Sequence, residues 1–142
     1  MISARNLQSG NDLLQQIFYG MLDLTLHDNF DTSTNKNIND TLIKLQNTIT
    51  NFPHIDGTCQ AASFDHLLGY AASYYGYLWS EVYAADMFSL FEEGGVLNSD
   101  IGSHFRKTIF ERGGEENPLK LVKEFLGRDP SNNAFLKSQG VL

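Results

Sequence analysis

His66, Tyr70, Tyr74, Tyr77 and Glu81 recur at steps of four, four, three and four. At about 100° per residue, that spacing would line an imidazole, three phenols and a carboxylate along one helix face. Such a face exchanges hydrogen bonds. A tyrosine hydroxyl, with an ordinary pKa of about 10, is a neutral donor at neutral pH and can bond a developing oxyanion. The run from Phe64 to Phe91 holds five of the six tyrosines, the one tryptophan and one of the four histidines. Tyr75, Leu78, Trp79, Val82 and Ala85 offer apolar area for the core side of the same helix. The spacing also fits plain core tyrosines whose hydroxyls reach the surface. Gly69 and Gly76 favour the ligand-facing reading, because glycine beside the hydroxyls lets a ligand or another backbone come close.

These residues carry a resemblance. His66-Leu67-Leu68-Gly69-Tyr70, followed by Tyr74-Tyr75-Gly76-Tyr77-Leu78-Trp79-Ser80-Glu81-Val82, resembles the C-terminal part of the thimet oligopeptidase and neurolysin family of zinc oligopeptidases. The likeness continues through Asp86-Met87-Phe88, Gly95-Val96-Leu97-Asn98-Ser99, Gly113-Gly114, Phe125-Leu126-Gly127-Arg128-Asp129-Pro130 and Ala134-Phe135-Leu136, and is weaker before Phe64. The one-glycine spacing from His66 to Tyr70 is more similar to mitochondrial intermediate peptidase. The longer motifs favour the cytosolic oligopeptidases.

The resemblance implies an all-α fold, the C-terminal portion of a metallopeptidase catalytic domain, with residues 1–53 a helical pair, 54–91 a substrate-binding loop and helix, and 92–142 further helices. It implies that Tyr77 and His66 are catalytic, stabilising the tetrahedral intermediate, and that Tyr70, Tyr74, Gly69 and Gly76 bind the peptide. Such a peptidase needs His-Glu-x-x-His, which sets two imidazoles on one helix face around a metal with the glutamate as base. That motif is absent: the four histidines are followed by Asp28, Ile55, Leu67 and Phe105. The expectation is therefore a segment of a zinc enzyme that acts on short peptides, with no metal ligand on this chain, inactive alone and partnered by the metal-binding part. Without the resemblance, composition and periodicity show only a soluble helical domain, and the preferred reading is a stand-alone, non-catalytic helical interaction module.

Composition narrows the classes further. A chain of 142 residues with a net charge of −7 and ten scattered Lys and Arg is not built for phosphate backbones, so no nucleic-acid partner is expected. One cysteine, Cys59, allows no internal disulfide and fits a reducing compartment, cytoplasmic or mitochondrial; it reads as a small buried hydrophobe. No apolar run approaches the roughly 20 residues that span a bilayer, and residues 1–10 carry no apolar signal core, so no membrane partner is expected.

The elements that must position the aromatic run follow from periodicity. Leu13, Leu14, Ile17, Phe18, Met21, Leu22 and Thr25 predict a helix over 9–28 capped by Ser9 or Asn11, and Asn29 to Asn37 reads as a polar loop. Ile38, Leu42, Leu45, Ile49 and Phe52 predict a second helix that ends at Pro53 and packs antiparallel to the first. His27 and His54 flank this pair without a second ligand at metal spacing and read as structural or solvated; His104 reads as a surface residue. Gly94-Gly95 should end the long aromatic helix. Asn98 or Ser99 then caps a helix with Ile101, Phe105, Ile109 and Phe110. Asn117-Pro118 starts another that buries Leu119, Val122, Phe125 and Leu126. A last turn from Asp129-Pro130 docks Phe135 and Leu136, making about six helices and no strand.

Overall fold

The computed structural model describes residues 7–28, 30 and 37–142. Every regular element among them is helical, so the fold is all-α. The polar tract 29–37 falls, apart from Phe30 and Asn37, outside the described residues. The chain divides into two compact units, Met1–Leu78 and Trp79–Leu142.

In the first unit, helix α1 spans Ser9–Asp28 and helix α2 spans Ile38–Ile49. Asn37 caps α2, its side-chain oxygen accepting from the Asn39 N–H at 2.9 Å. Phe18 and Leu22 of α1 and Leu42 of α2 are fully buried together. Each such side chain contributes about 1.5–3 kcal/mol by leaving water. Asn51, just beyond α2, donates to Asn11 at the start of α1 at 2.9 Å, so the pair runs antiparallel. The second helix ends earlier than its apolar pattern predicts. Thr50 adopts extended backbone and its hydroxyl bonds Gln46 O and Phe52 O at 2.9 and 2.8 Å, which leaves Phe52 exposed. Cys59 is exposed rather than buried, correcting the sequence reading.

The aromatic run is not one helix. A single turn, α3, covers His66–Gly69; the chain then folds back through 70–75 and enters α4, Gly76–Gly94. That break raises the α-helical segments among the described residues to seven. Two backbone donors that a continuous helix would use, the N–H groups of Ala72 and Tyr74, instead bond the Asp23 carboxylate, and Ala72 takes a positive φ of 58° that helix forbids.

The second unit is built on α4 beyond Leu78, α5 (Ser99–Phe105) with a wide turn over Arg106–Phe110, α6 (Pro118–Leu126) and α7 (Asn133–Ser138). Asn98 and Asn117 cap α5 and α6, and Pro118 takes the first position of α6, as their types predict. Val122, Phe125 and Leu126 form its core, with Tyr83, Met87, Leu90, Phe91, Ile101, Phe105 and Ile109 packed on them. So α4 turns Tyr83, Met87 and Leu90 inward, whereas Trp79 is half-exposed, as is Tyr75 before it. Leu121 rather than Leu119 is buried on α6, and Phe110 lies exposed. Asp86, buried at 2 % exposure, takes two bonds from Arg128 at 2.7 and 2.8 Å and one from the Ser131 N–H at 2.7 Å, fastening the segment after α6 to α4.

Candidate functional site

The first unit gathers four of the predicted site residues into one ring cluster. The His66 ring lies 4.9 Å from Tyr74, 5.4 Å from Tyr70 and 5.8 Å from Tyr77, centroid to centroid, and stacks on Phe64 at 5.9 Å. Tyr74 and Tyr77 meet edge to face at 5.1 Å. His66 and Tyr74 are the inner members. Tyr70 and Tyr77, at 70 % and 56 % exposure, present their phenols to solvent.

The convergence comes from the turn at 70–75 and not from a common helix face. Tyr70 N–H bonds His66 O at 3.0 Å, Ser73 closes on Tyr70 O through both its N–H and its hydroxyl, and Tyr77 N–H reaches Tyr74 O at 3.2 Å. Gly69 and Gly76 flank the cluster with open space where a side chain would stand, so neither is squeezed by another backbone. The close approach is elsewhere: a Cβ on Gly20 would stand 3.5 Å from the Tyr75 backbone. Glu81, on the second-unit part of α4, is exposed.

Beneath the cluster sit residues that the spacing did not single out. Asp23, fully buried on α1, accepts from Ala72 N–H at 3.0 Å and Tyr74 N–H at 2.9 Å. Its Oδ1 also stands 2.9 Å from His27 Nδ1, which lies 2.8 Å from the Asp23 carbonyl as well. Both neighbours only accept, so His27 Nδ1 carries a proton. His27 therefore has a carboxylate partner one turn earlier, contrary to the sequence reading that left it without one. The detectable signal was Asp23 itself, next to Leu22 on the face that buries Phe18. His54 is the bland residue expected, bonded to Gln46 and near Thr58. His104 is exposed yet stacks on Phe125 and reaches Thr108 and the Phe125 carbonyl.

Burial pushes the Tyr74 phenol above its ordinary range; a hydrogen bond with Gln16 lowers it in part, and the neighbouring phenols of Tyr19 and Tyr77 raise it further. Tyr74 thus stays protonated at neutral pH, an O–H donor. The cluster offers donors, an imidazole and aromatic faces. It offers no metal cage: among the described residues no group of three or more His, Cys, Asp or Glu could hold an ion. No helix among them is long and apolar enough to cross a membrane.

Comparison with known proteins gives this arrangement a context. The family model described as Peptidase family M3 matches residues 1–141. Oligopeptidase A of Haemophilus influenzae is 38% identical over 144 residues, covering 100% of this chain and 21% of that protein. Saccharolysin of Saccharomyces cerevisiae is 35% identical over 145 residues, covering 99% of this chain and 20% of that protein. Mitochondrial intermediate peptidase of Arabidopsis thaliana matches at 28% identity over 126 residues, 89% of this chain and 18% of that protein. The chain spans about a fifth of the length of these curated relatives.

Proposed function

Because the chain belongs to peptidase family M3, we propose that it forms the substrate-facing wall of an oligopeptidase active site, with His66 and Tyr77 touching the scissile group. Tyr70 and Tyr74, with the open ground beside Gly69 and Gly76, form the surface on which a short peptide lies. The observation that carries this reading is the ring cluster itself: four hydrogen-bonding aromatic side chains converge on one turn, two of them with exposed phenols. Core packing has no need of exposed phenols.

The resemblance implies a zinc ion, and the described residues do not fit one. The contribution derived for this chain is therefore binding and hydrogen-bond donation. A peptide carbonyl becomes an oxyanion as its carbon turns tetrahedral, and a neutral O–H aimed at that position gains strength as charge develops. Tyr77 fits that role because its hydroxyl can be a donor at neutral pH and its ring is braced by Tyr74 and His66. The aromatic faces of Tyr70 and Tyr77 suit the flat amides and side chains of an extended peptide. The single cysteine, exposed and unpaired in a disulfide, supports work in a reducing compartment such as the cytoplasm.

Tyr77→Phe in a full-length enzyme carrying this segment tests the reading. The ring and its packing remain and only the donor is lost. The expected result is a fall of about 10²–10³ in kcat, the size of a lost oxyanion donor, with KM nearly fixed and Tm unchanged. A near-normal kcat, or a rise in KM alone, would reduce Tyr77 to packing or substrate positioning.

A further inference from the structure

We propose that Asp23 is the positioning residue of this cluster, holding the turn at 70–75 through two backbone N–H groups and setting the His66 ring through Nδ1. The proposal deepens the peptidase reading above and rests on it.

The carboxylate is fully buried, and its ion-pairing neighbours among the described residues are two histidines, His27 and His66, with no Lys or Arg. Burying a carboxylate is costly unless donors surround it. Its two oxygens offer about four acceptor directions. Oδ1 is met by Ala72 N–H at 3.0 Å and Oδ2 by Tyr74 N–H at 2.9 Å, while His27 Nδ1, hydrogen-bonded to the Asp23 carbonyl, stands 2.9 Å from Oδ1. A direction on Oδ2 is left open. Facing Oδ2 at 4.0 Å is His66 Nδ1, the single buried side-chain nitrogen or oxygen among the described residues that has no hydrogen-bond partner. An unfilled acceptor and an unfilled donor position therefore confront each other, and a shift of about 1 Å completes the bond.

The consequence is chemical. A proton kept on Nδ1 by Asp23 leaves the lone pair of the neutral ring on Nε2, so the carboxylate decides which nitrogen can accept a proton from a reacting group. The same carboxylate fixes Tyr74, whose ring touches both His66 and Tyr77. Ala72, at a φ of 58°, pays for the turn with backbone strain that the Asp23 bond helps to hold. One buried side chain thus sets the imidazole and, through Tyr74, the donor-bearing phenol.

The test uses a full-length enzyme carrying this segment, labelled with ¹⁵N-histidine, with the His66 ring signals assigned by their loss in His66→Gln. In the wild type the proton is expected on Nδ1, and in Asp23→Asn the ring shifts toward the Nε2–H tautomer. The same variant is expected to lose about 10²-fold in kcat, the scale of a misplaced catalytic group, with KM changed much less. A wild-type ring protonated on Nε2 alone overturns the proposal, and this holds even if Asp23→Asn fails to fold. A variant that folds, keeps kcat and keeps its His66 tautomer overturns it as well. The two readings fail separately: if the peptidase reading is wrong, Tyr77→Phe leaves turnover intact whatever the His66 tautomer. If only the Asp23 inference is wrong, Tyr77→Phe still loses turnover while His66 proves indifferent to Asp23.

Discussion

Asp23 and Asp86 are two buried aspartates that do the same mechanical task in different units, and they differ in what answers their charge. Each lies on a long helix and accepts backbone N–H groups from a turn: Ala72 and Tyr74 for Asp23, Ser131 for Asp86. Asp86 is also gripped by the Arg128 fork, a permanent cation with both N–H bonds made. The Arg128 hydrogen bond, aided by the Ser131 N–H and outweighing burial, holds the Asp86 carboxyl below the usual range. Among the described residues Asp23 has no Lys or Arg partner, only His27 Nδ1 at 2.9 Å and His66 Nδ1 at 4.0 Å. A saturated carboxylate with a fixed counter-ion is a fastening. A buried carboxylate facing an unsatisfied imidazole in a cluster of phenols is the arrangement on which the proposed site rests.

The contrast can be broken experimentally, and the largest stability effect is expected at Arg128. Arg128→Ala strands a buried carboxylate and should cost about 2–3 kcal/mol, near the low end for breaking a buried pair because the arginine is partly solvated. Thermal unfolding would register it as a lower Tm, and kcat measured well below that Tm should not change. A smaller effect follows from pH. Since Asp86 has a depressed folded pKa, its stabilisation is present above the ordinary aspartate value of about 3.9 and is lost as pH falls through the folded value. The stability gap between wild type and Arg128→Ala should therefore narrow as pH falls, because the variant's Asp86, buried without its cation, takes up a proton at a higher pH than the wild type's. A gap that did not change with acid would remove the ion pair from the account. The smallest effect is at Ala72. Ala72→Gly relieves a left-handed alanine at the cost of a freer unfolded chain, so denaturant titration should show a net gain of about 0.5 kcal/mol. A marked loss would mean that the Ala72 methyl packs as part of the site.

Much of this was legible in the residues, and the failures share a cause. The helix over 9–28, the caps at Asn98 and Asn117 and the stop at Gly94-Gly95 are local signals, and the structure carries each one. The membership of the cluster was also readable, because His66, Tyr70, Tyr74 and Tyr77 are close in the chain under either a helix or a turn. What spacing could not supply was the reason they meet. A period of 3.6 describes the run from 64 to 91 as continuous helix, whereas the Asp23 carboxylate, 49 and 51 residues before its partners in the chain, captures the N–H groups of Ala72 and Tyr74 and breaks it. Tyr75, assigned to the core on the same continuous period, falls in that break and lies half-exposed; Trp79, inside α4, is half-exposed too, its indole N–H bonded to the Tyr83 hydroxyl. Thr50 similarly ended α2 before Phe52 by a side-chain bond that apolar periodicity does not encode.

The central claim is that the first unit carries chemistry and the Asp86 fastening carries stability. Steady-state kinetics and melting of Tyr77→Phe and Arg128→Ala, made side by side in one full-length enzyme, test it most directly. The account predicts that Tyr77→Phe loses about 10²–10³ in kcat at an unchanged Tm, while Arg128→Ala lowers Tm and keeps kcat. A Tyr77→Phe enzyme that turns over normally but melts early, beside an Arg128→Ala enzyme that melts normally but has lost turnover, would contradict it.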